Sequence, residues 1–417
     1  MQQSWLHYLC GQNFYTIMVT IGLIREEKTP KDVRVALTPK QCVAIQKKYN
    51  VAIVVEASPD RCYSDEEYRQ EGLEIVTDLS QCAIILGIKE VPVDKLIEGK
   101  TYLFFSHTKK KQPYNQKLMR ALIRKKIRLV DYEALTHSDG QRILGFGFFA
   151  GVVGAHNGLL TYGKKYGLYH LKAAHECAGL EEMSLQYQHV RFPNIKIAIT
   201  GSGRVASGVV DVMDRADIEF VEPEDFLTNT FDYPVYTNLK GSTLYRRKDN
   251  GTYAREDFHR HPQDYECFFR AYLSVTDILM NGIYWDEQIE RLFEKQDVQH
   301  AAYKMNVIAD ITCDVNGSVP LNVGASTIDN PVYGIEKKTF LKTSPFQNTN
   351  EVIDIMAVDN LPNELPRDAS FHFGQHLEKF VLPELLKEES DIIARATICE
   401  AGKLTPPFEY LSDYAYP

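Results

Sequence analysis

Short apolar runs alternate with amphipathic polar segments between residues 20 and 133. The apolar runs read TIGLIRE, VAIVVEA, CAIILGIKE, KTYLFFSH and IRLVDYE. Unbroken runs of this kind are typical of strands buried on both faces, as in a parallel sheet with helical crossovers. Between them, Thr38 followed by Pro39, and Ser64 followed three residues later by Glu67, predict the N-termini of two helices. The pattern therefore predicts an α/β domain with a parallel sheet.

Four of these runs carry a charged or titratable residue near the carboxyl end, namely Arg25, Lys89, His107 and Glu133. In open parallel sheets, ligands bind in the crevice outside the carboxyl ends of the strands. Strands also become polar wherever they leave a core, so any one of these residues can be structural. Because four such ends coincide, with Arg34 nearby, we predict a ligand site that contains Lys89 and His107.

A second unit begins after a glycine-rich helical segment, and its clearest motif is NIKIAITGSGRVASGVVDVMDRADIEFVEP. An apolar run leads into Gly201, Gly203 and Ala206, spaced as G-x-G-x-x-A, and a predicted helix and second strand follow. In dinucleotide-binding folds the glycines permit a tight turn and close approach of the pyrophosphate, and an acidic residue about 20 positions on bonds the ribose. Glu222 stands at that distance. The motif therefore predicts a nicotinamide dinucleotide site.

The rest of the second unit is less regular. Residues 231–266 have no clean period, and we expect them to leave the sheet. The runs DILMNGIYW and NVIADITCD then resume as strands that carry Asn281, Asp310 and Asp314 near their ends. After residue 350, prolines precede an amphipathic helix expected to pack on the first domain. The predicted apolar face of this helix holds Phe371, Phe373, Leu377 and Val381.

The chain of 417 residues is too long for one ordinary core. We expect an α/β protein of two Rossmann-like domains with parallel sheets and an active site in the cleft between them. The predicted substrate and catalytic domain comprises 18–146 and 350–417, and the predicted dinucleotide-binding domain comprises 147–349. Residues 1–17 are interpreted as an extension.

Composition excludes several classes of protein. The chain is 44% hydrophobic and 25% charged with a net charge of −9, which is typical of a soluble globular protein and argues against nucleic-acid binding. No apolar stretch reaches the length of a membrane span and no secretory signal is evident, so we expect a cytoplasmic protein without a membrane partner. The eight cysteines are scattered without a C-x-x-C pair, so we expect neither a metal site nor a disulfide framework.

Several longer motifs resemble one family. They are REEKTPKDVRVALTP, GIKE, FFSHTKKKQ, VDYEAL, RILGFGFFAGVVG, HPQDY, NGIYWD, ADITCDVNGS and VDNLPNELPRDAS. In this order they resemble the lysine-forming saccharopine dehydrogenases, and most closely the lysine-ketoglutarate reductase half of the bifunctional plant and animal enzyme. Both belong to the alanine dehydrogenase and transhydrogenase superfamily. The resemblance covers roughly residues 20 to 400 and implies reversible hydride transfer between a nicotinamide cofactor and saccharopine. Loss of hydride from saccharopine gives an imine, which water hydrolyses to lysine and 2-oxoglutarate.

The resemblance also assigns roles to residues. It implies that Lys89 and His107 are the catalytic acid and base. It also implies that the carboxylate of Glu133 moderates the basicity of Lys89. Because saccharopine carries three carboxylates, the implied substrate pocket is basic. The implied substrate-binding residues are Arg34, Lys110, Gln112, Glu133, Arg142 and Phe146, while Arg25 can be structural. The implied cofactor-binding residues are Gly201, Gly203, Arg204, Val205, Glu222, Asn281, Asp310 and Asp314.

Two questions stay open at this point. Glu222 favours NAD because a carboxylate repels a 2′-phosphate, yet the nearer relatives use NADP and Pro223 could turn the carboxylate away. The length leaves no room for the glutamate-forming dehydrogenase domain fused to those relatives, so we expect a stand-alone enzyme whose metabolic direction and oligomeric state are undetermined.

Two other functions are compatible with the sequence. One is a related amino-acid or opine dehydrogenase of the same superfamily. The other is a nucleotide-binding protein that keeps the fold without the chemistry.

Overall fold

The computed structural model describes residues 18–416, which form two compact units. The first unit comprises residues up to Ile143 together with those from Gly374 onward, and the second comprises Leu144–Phe373. The predicted extension, residues 1–17, lies outside the described residues. The chain returns to the first unit at Gly374 rather than at 350, because the strand Val352–Met356 pairs with Val307–Ala309 in the second sheet.

Twelve α-helices and eighteen strands are named here in chain order within residues 18–416. The helices are α1 Pro39–Tyr49, α2 Asp65–Gln70, α3 Gln116–Arg124, α4 Gly147–Tyr166, α5 Leu180–Leu185, α6 Arg204–Arg215, α7 Pro223–Thr228, α8 Arg255–Arg260, α9 Pro366–His376, α10 Leu382–Leu385, α11 Asp391–Ala396 and α12 Ser412–Ala415. The strands are β1 Thr20–Leu23, β2 Ala52–Glu56, β3 Glu74–Val76, β4 Ile84–Leu86, β5 Thr101–Phe104, β6 Arg128–Asp131, β7 Lys196–Thr200, β8 Glu219–Phe220, β9 Val235–Leu239, β10 Tyr245–Arg247, β11 Tyr265–Cys267, β12 Ile278–Asn281, β13 Val307–Asp310, β14 Val332–Glu336, β15 Lys342–Thr343, β16 Val352–Met356, β17 Thr397–Glu400 and β18 Lys403–Leu404.

The sheet of the first unit has the order β18-β17-β6-β5-β4-β1-β2-β3. The six strands from β6 to β3 are parallel, whereas β17 is antiparallel to β6 and pairs with β18 as a hairpin. Four neighbouring strands, β6, β5, β4 and β1, are those whose carboxyl ends lead to the predicted site residues. The sheet therefore brings those strand ends together along one edge, as the sequence predicted.

The sheet of the second unit has the order β15-β14-β16-β13-β12-β7-β9-β8. Its strands from β16 to β8 are parallel, and β14 runs antiparallel to β16. The expectation that residues 231–266 leave the sheet is wrong for Val235–Leu239, which form β9 between β7 and β8. The sequence VYTNL carries two polar residues, so the unbroken apolar run expected of a central strand is missing.

Local helix signals were predicted well. The Thr38 and Ser64 hydroxyls accept hydrogen bonds from the third helical residues, and the side chains of Gln41 and Glu67 return the contact, so both caps are complete capping boxes. The α9 helix continues through a π-helical turn into α10. On this segment Phe373, Leu377 and Val381 are buried as predicted, whereas Phe371 is 49% exposed and does not belong to the apolar face.

Candidate active site

The two predicted catalytic residues follow neighbouring strands. Lys89 lies three residues beyond β4 and His107 three residues beyond β5, and these strands pair in parallel register. His107 has a φ of 52°, which is uncommon for a residue with a side chain. The ring of Phe105 stacks on its imidazole at an interplanar angle of 18°. Left-handed backbone at a non-glycine residue is found preferentially at functional sites, which supports His107 as a site residue.

Glu90 fixes the imidazole of His107. Its Oε1 lies 2.6 Å from Nδ1 of His107, and its Oε2 accepts a hydrogen bond of 2.7 Å from Nζ of Lys28. The Asn115 side-chain amide donates to Oε1 at 3.2 Å. Burial raises the pKa of Glu90, but the hydrogen bonds from His107 and Lys28 outweigh it and lower the pKa to about 2. An ionised carboxylate therefore holds Nδ1 and leaves Nε2 as the ring atom that can exchange a proton.

Sequence reasoning missed Glu90, although it stands beside Lys89 in the motif GIKE. The signal was available, because a carboxylate next to a predicted base is a common way to orient an imidazole. Its partner His107 is 17 positions away, however, and only the pairing of β4 with β5 brings the two together.

Lys89 occupies a shielded position with a second cation nearby. Burial and the charge of Arg34 lower its pKa, while Asp32 and Glu90 act in the opposite direction. Lys89 is thus closer to titrating near neutral pH than a solvated lysine, as a proton acceptor requires.

Arg34 is only 3% exposed and is held by Asp32. Its Nε and Nη2 donate to the two carboxylate oxygens of Asp32 at 2.9 and 2.5 Å. Burial raises the pKa of Asp32, but the charge and hydrogen bonds of Arg34, together with the charge of Lys89, outweigh it and lower the pKa to about 2. The cation of Arg34 is therefore buried and paired, which limits its part in binding a substrate carboxylate.

Glu26 is a further carboxylate that sequence reasoning missed. Its Oε1 and Oε2 accept the backbone N–H groups of Ile88 and Lys89 at 2.6 and 2.9 Å, so it fixes the turn that presents Lys89. Burial and the neighbouring charge of Asp32 raise its pKa to about 8. Glu26 therefore carries a proton at neutral pH.

The other predicted substrate-binding residues are more exposed. Nη2 of Arg142 lies 3.0 Å from Oε1 of Glu133, and the Arg142 side chain is 46% exposed. Lys110 is exposed and Gln112 is half-buried. Lys111, in contrast, pairs with Asp413 at 2.6 Å and has a structural partner.

Arg25 and Phe146 have packing partners of their own. Arg25 pairs with Glu27 and Glu56 and lines a cavity of about 290 Å³ beside β1 and β2, which fits a structural role. Phe146 belongs to the second unit, where its ring stacks on Phe373 at a centroid distance of 4.7 Å.

The predicted nucleotide turn has the shape that phosphates need. Gly201 has a φ of 108°, and a Cβ there would lie 2.7 Å from the carbonyl oxygen of Gly282. Gly203 is the N-cap of α6, and a Cβ at this position would meet no heavy atom within 4 Å. Ala206 is buried at 1% exposure. A tight turn, open space above it and the N-terminus of a twelve-residue helix together fit a dinucleotide pyrophosphate.

Two predicted cofactor residues are fully buried. Nδ2 of Asn281 donates to Oδ1 of Asp310 at 2.8 Å, and Nδ2 of Asn322 donates to Oδ2 of Asp310 at 2.7 Å. Thr200 at the end of β7 donates to Oδ1 of Asn281 at 2.7 Å. Because Asn281 and Asp310 bind each other, they hold the ends of β12 and β13 together. Asp314 is exposed beyond β13.

The remaining predicted cofactor residues are Arg204, Val205 and Glu222. Arg204 and Val205 are the first two residues of α6 and follow Gly203 directly. Glu222 is exposed and is the N-cap residue of α7, next to Pro223. It follows β8, which is separated from β7 by β9, and so it does not end the strand beside the glycine-rich turn.

Within residues 18–416, no cluster of His, Cys, Asp and Glu could hold a metal ion. No helix in the same part of the chain is long and apolar enough to cross a membrane.

A family model described as the N-terminal domain of alanine dehydrogenase and PNT matches residues 22–153. The alpha-aminoadipic semialdehyde synthases of Rattus norvegicus (mitochondrial) and Arabidopsis thaliana are each 29% identical over 94% of this chain, which spans 47% and 41% of their lengths. A saccharopine dehydrogenase (NAD(+), L-lysine-forming) of Neurospora crassa is 24% identical over 90% of this chain and 94% of its own length. Along most of its length the chain is therefore similar in sequence to saccharopine dehydrogenases and to alpha-aminoadipic semialdehyde synthases.

The chain spans about half the length of the semialdehyde synthases it matches. Its fold is shared with an L-alanine dehydrogenase, with a TM-score of 0.65 at 15% identity over 95% of this chain and all of the other. A transhydrogenase from Sinorhizobium meliloti gives a TM-score of 0.60 at 14% identity over 93% of this chain and 99% of its own. The predicted resemblance and the predicted α/β class with two mostly parallel sheets are both confirmed.

Proposed function

We propose that this chain is an oxidoreductase that acts on the CH–NH bond of saccharopine, with lysine and 2-oxoglutarate on the other side of the reaction. The observation that carries the proposal is the group formed by Lys89, His107 and Glu90 at the ends of β4 and β5. The nucleotide turn at Gly201 and Gly203, and similarity to saccharopine dehydrogenases over most of the chain, support it.

Two side chains would move protons. The imidazole of His107 takes or returns a proton at Nε2, because Nδ1 is held by the ionised carboxylate of Glu90. The amine of Lys89 serves as the second proton carrier, since burial and Arg34 make its protonated form less stable than in water. The bound nicotinamide would supply or accept the hydride.

Cationic side chains would bind the carboxylates of the substrate. Arg142 and Lys110 are exposed enough to reach a ligand, and a guanidinium can bind a carboxylate through two parallel hydrogen bonds. Arg34 acts mainly through its charge, which lowers the pKa of Lys89. Its Nε and Nη2 groups are already hydrogen-bonded to Asp32. Gln112 and Glu133 complete the proposed polar lining.

A nicotinamide cofactor, NAD or NADP, is part of this proposal. Gly201, Gly203, Arg204 and Val205 would lie against its pyrophosphate, since they form the turn and the first residues of α6. A cytoplasmic location is also proposed. The rat relative is named as mitochondrial, so fractionation of the native cells tests that part.

The test follows absorbance at 340 nm with saccharopine and either cofactor, and then with lysine and 2-oxoglutarate in reverse. We expect turnover that falls at least about a hundredfold in Lys89→Met and in His107→Gln. Lys111→Met is the matched control, because that lysine pairs with Asp413 and should retain turnover.

Near-native turnover in both site variants would exclude the catalytic assignment. Oxidation of alanine or another opine in place of saccharopine would identify a related amino-acid dehydrogenase. Nucleotide binding without turnover of any such substrate would identify a non-catalytic binder.

A further inference from the structure

The strand beside the glycine-rich turn is not the one that follows α6. In the usual dinucleotide-binding order, the strand after the first helix lies next to the first strand, and its end reads the adenosine ribose. Here β9 takes that place, and β8 lies beyond it at the edge of the sheet. The backbone N–H of Gly201 donates to the carbonyl oxygen of Leu239 at 3.0 Å, so the last residue of β9 is level with the turn. The residue that follows β9 therefore stands where the ribose is read.

That residue is Lys240. Its backbone is extended, with φ −152° and ψ 157°, and its side chain is exposed. The turn after it is ordered, because the N–H of Lys240 donates to Oγ1 of Thr243 at 2.9 Å and the N–H of Thr243 donates back to the carbonyl of Lys240 at 3.1 Å. A cation thus projects from a fixed position beside the nucleotide turn.

A second cation is attached to the same turn. Nε of Arg246 donates to the carbonyl oxygen of Ser242 at 2.7 Å, and its guanidinium lies 4.4 Å from the centre of the Phe268 ring. These two contacts hold the Arg246 side chain against residues 241–243. The Thr243 hydroxyl is used within the turn, because it donates to the carbonyl oxygen of Lys240 at 2.8 Å. Lys240, the Ser242 hydroxyl and Arg246 form what we call the β9 turn, whose chemistry suits a phosphate dianion.

Glu222 is displaced from this position by one strand. Neighbouring strands are about 4.8 Å apart, so the end of β8 lies about 10 Å from the line of β7. Glu222 is also exposed, and water screens its charge at that distance. The carboxylate expected to select the ribose hydroxyl is therefore not at the ribose position.

We propose that Lys240 is the specificity-determining residue for the cofactor, and that the β9 turn selects a nucleotide with a 2′-phosphate on its adenosine ribose. The proposal rests on the nucleotide site of the proposed function and replaces the slight preference for NAD derived from Glu222. It does not depend on which amino acid is the substrate.

The experiment measures binding of two nucleotide fragments to the full chain by isothermal titration calorimetry, with no amino-acid substrate present. The fragments are 2′,5′-ADP and 5′-AMP, which differ only in the 2′-phosphate. We expect the native chain to bind 2′,5′-ADP more tightly, and Lys240→Gln to reduce this preference about tenfold to a hundredfold, as loss of a charge-assisted contact does. Lys240→Arg should retain most of it.

Lys248→Gln is the matched control, because it removes one exposed lysine whose Nζ bonds the carbonyl of Gln263 and should keep the preference. Glu222→Gln tests the competing assignment. The proposal is overturned if 5′-AMP binds as tightly as 2′,5′-ADP, or if Lys240→Gln keeps the native preference. If Glu222→Gln strengthens 2′,5′-ADP binding while Lys240→Gln has no effect, then Glu222 and not Lys240 determines the cofactor specificity. If neither fragment binds, the nucleotide site itself is wrong, whereas failure of saccharopine turnover alone leaves these binding results unaffected.

Discussion

Two glutamates near Lys89 illustrate how partners decide the charge of a side chain. Glu90 is ionised because His107 and Lys28 both bond to its carboxylate. Glu26 is protonated because it is buried beside Asp32 and receives only backbone N–H groups. The site thus contains one carboxylate that stabilises a cation and one that behaves as a neutral hydrogen-bonding group.

Removal of the Glu90 carboxylate should slow catalysis. In Glu90→Gln the amide can still occupy the space beside His107, but Nδ1 loses the carboxylate that fixes the orientation and tautomer of the ring. We expect kcat to fall about tenfold to a hundredfold, because Nε2 is then less often placed for proton exchange. Steady-state kinetics check this, with the exposed Glu98→Gln variant as the control. A native kcat in Glu90→Gln would mean that Glu90 does not position the imidazole.

The proton on Glu26 should make the first unit less stable as the pH rises. The folded state holds this proton up to a pKa of about 8, whereas the ordinary value is 4.5, so between those pH values the folded state binds more protons. The free energy of unfolding should then fall with rising pH across this window, by up to about 1.4 kcal/mol per pH unit, and level off above pH 8.

Glu26→Gln mimics the neutral acid and should remove this slope. Hydrogen exchange of the β4 and β5 amides at several pH values, corrected for intrinsic rates, measures the effect. Glu98→Gln should keep the slope of the native chain. An equal slope in Glu26→Gln would place the proton on another group.

At the scale of single elements, signals that lie close together in the sequence were predicted correctly. The caps at Thr38 and Ser64 depend on residues three positions away, and both formed as expected. The order of strands depends on residues far apart, so the insertion of β9 beside β7 could not be predicted from the polar sequence VYTNL. The positions of Lys89 and His107 beyond neighbouring strands could be predicted, because strand ends meet at one edge of a parallel sheet. Glu26 was missed because its contacts with the turn at Lys89 span more than 60 residues.

The helices α4 and α6 pack so closely at Gly151 and Gly208 that neither position has room for a side chain. A Cβ at Gly151 would lie 2.0 Å from the carbonyl oxygen of Val205, and a Cβ at Gly208 would lie 2.0 Å from that of Phe148. We expect Gly151→Ala to lower the stability of the second unit by about 2 kcal/mol or more, because backbone must move to admit a methyl group. Thermal unfolding by circular dichroism measures this, and Ser207→Ala on the exposed face of α6 is the control. If Gly151→Ala is as stable as the native chain, then α4 and α6 can move apart without a loss of stability.

At the scale of the whole molecule, the second unit is a continuous segment inserted into the first. The chain leaves the first unit after Ile143 and re-enters it at Gly374. The second unit has its own sheet and buried core, so it meets the usual conditions for an independent domain. The first unit, in contrast, needs two distant parts of the chain.

We therefore expect a fragment of residues 144–373 to fold alone and to bind 2′,5′-ADP with the preference of the full chain. A cooperative thermal transition and dispersed amide resonances would establish folding, and calorimetry would measure binding. The complementary fragment 18–143, which lacks β17 and β18, serves as the contrast and should not unfold cooperatively. An unfolded 144–373 fragment would mean that the second unit depends on the first.

The late position of β17 has a consequence for biosynthesis. This strand pairs with β6, so β6 is an open sheet edge until residues 397–400 have left the ribosome. At typical elongation rates that interval is on the order of tens of seconds, and the whole second unit emerges during it. An open edge next to buried strands can pair with other chains. The nascent chain is therefore most prone to aggregate after β6 is made and before β17 appears, and a ribosome stalled in that interval exposes an incomplete first sheet.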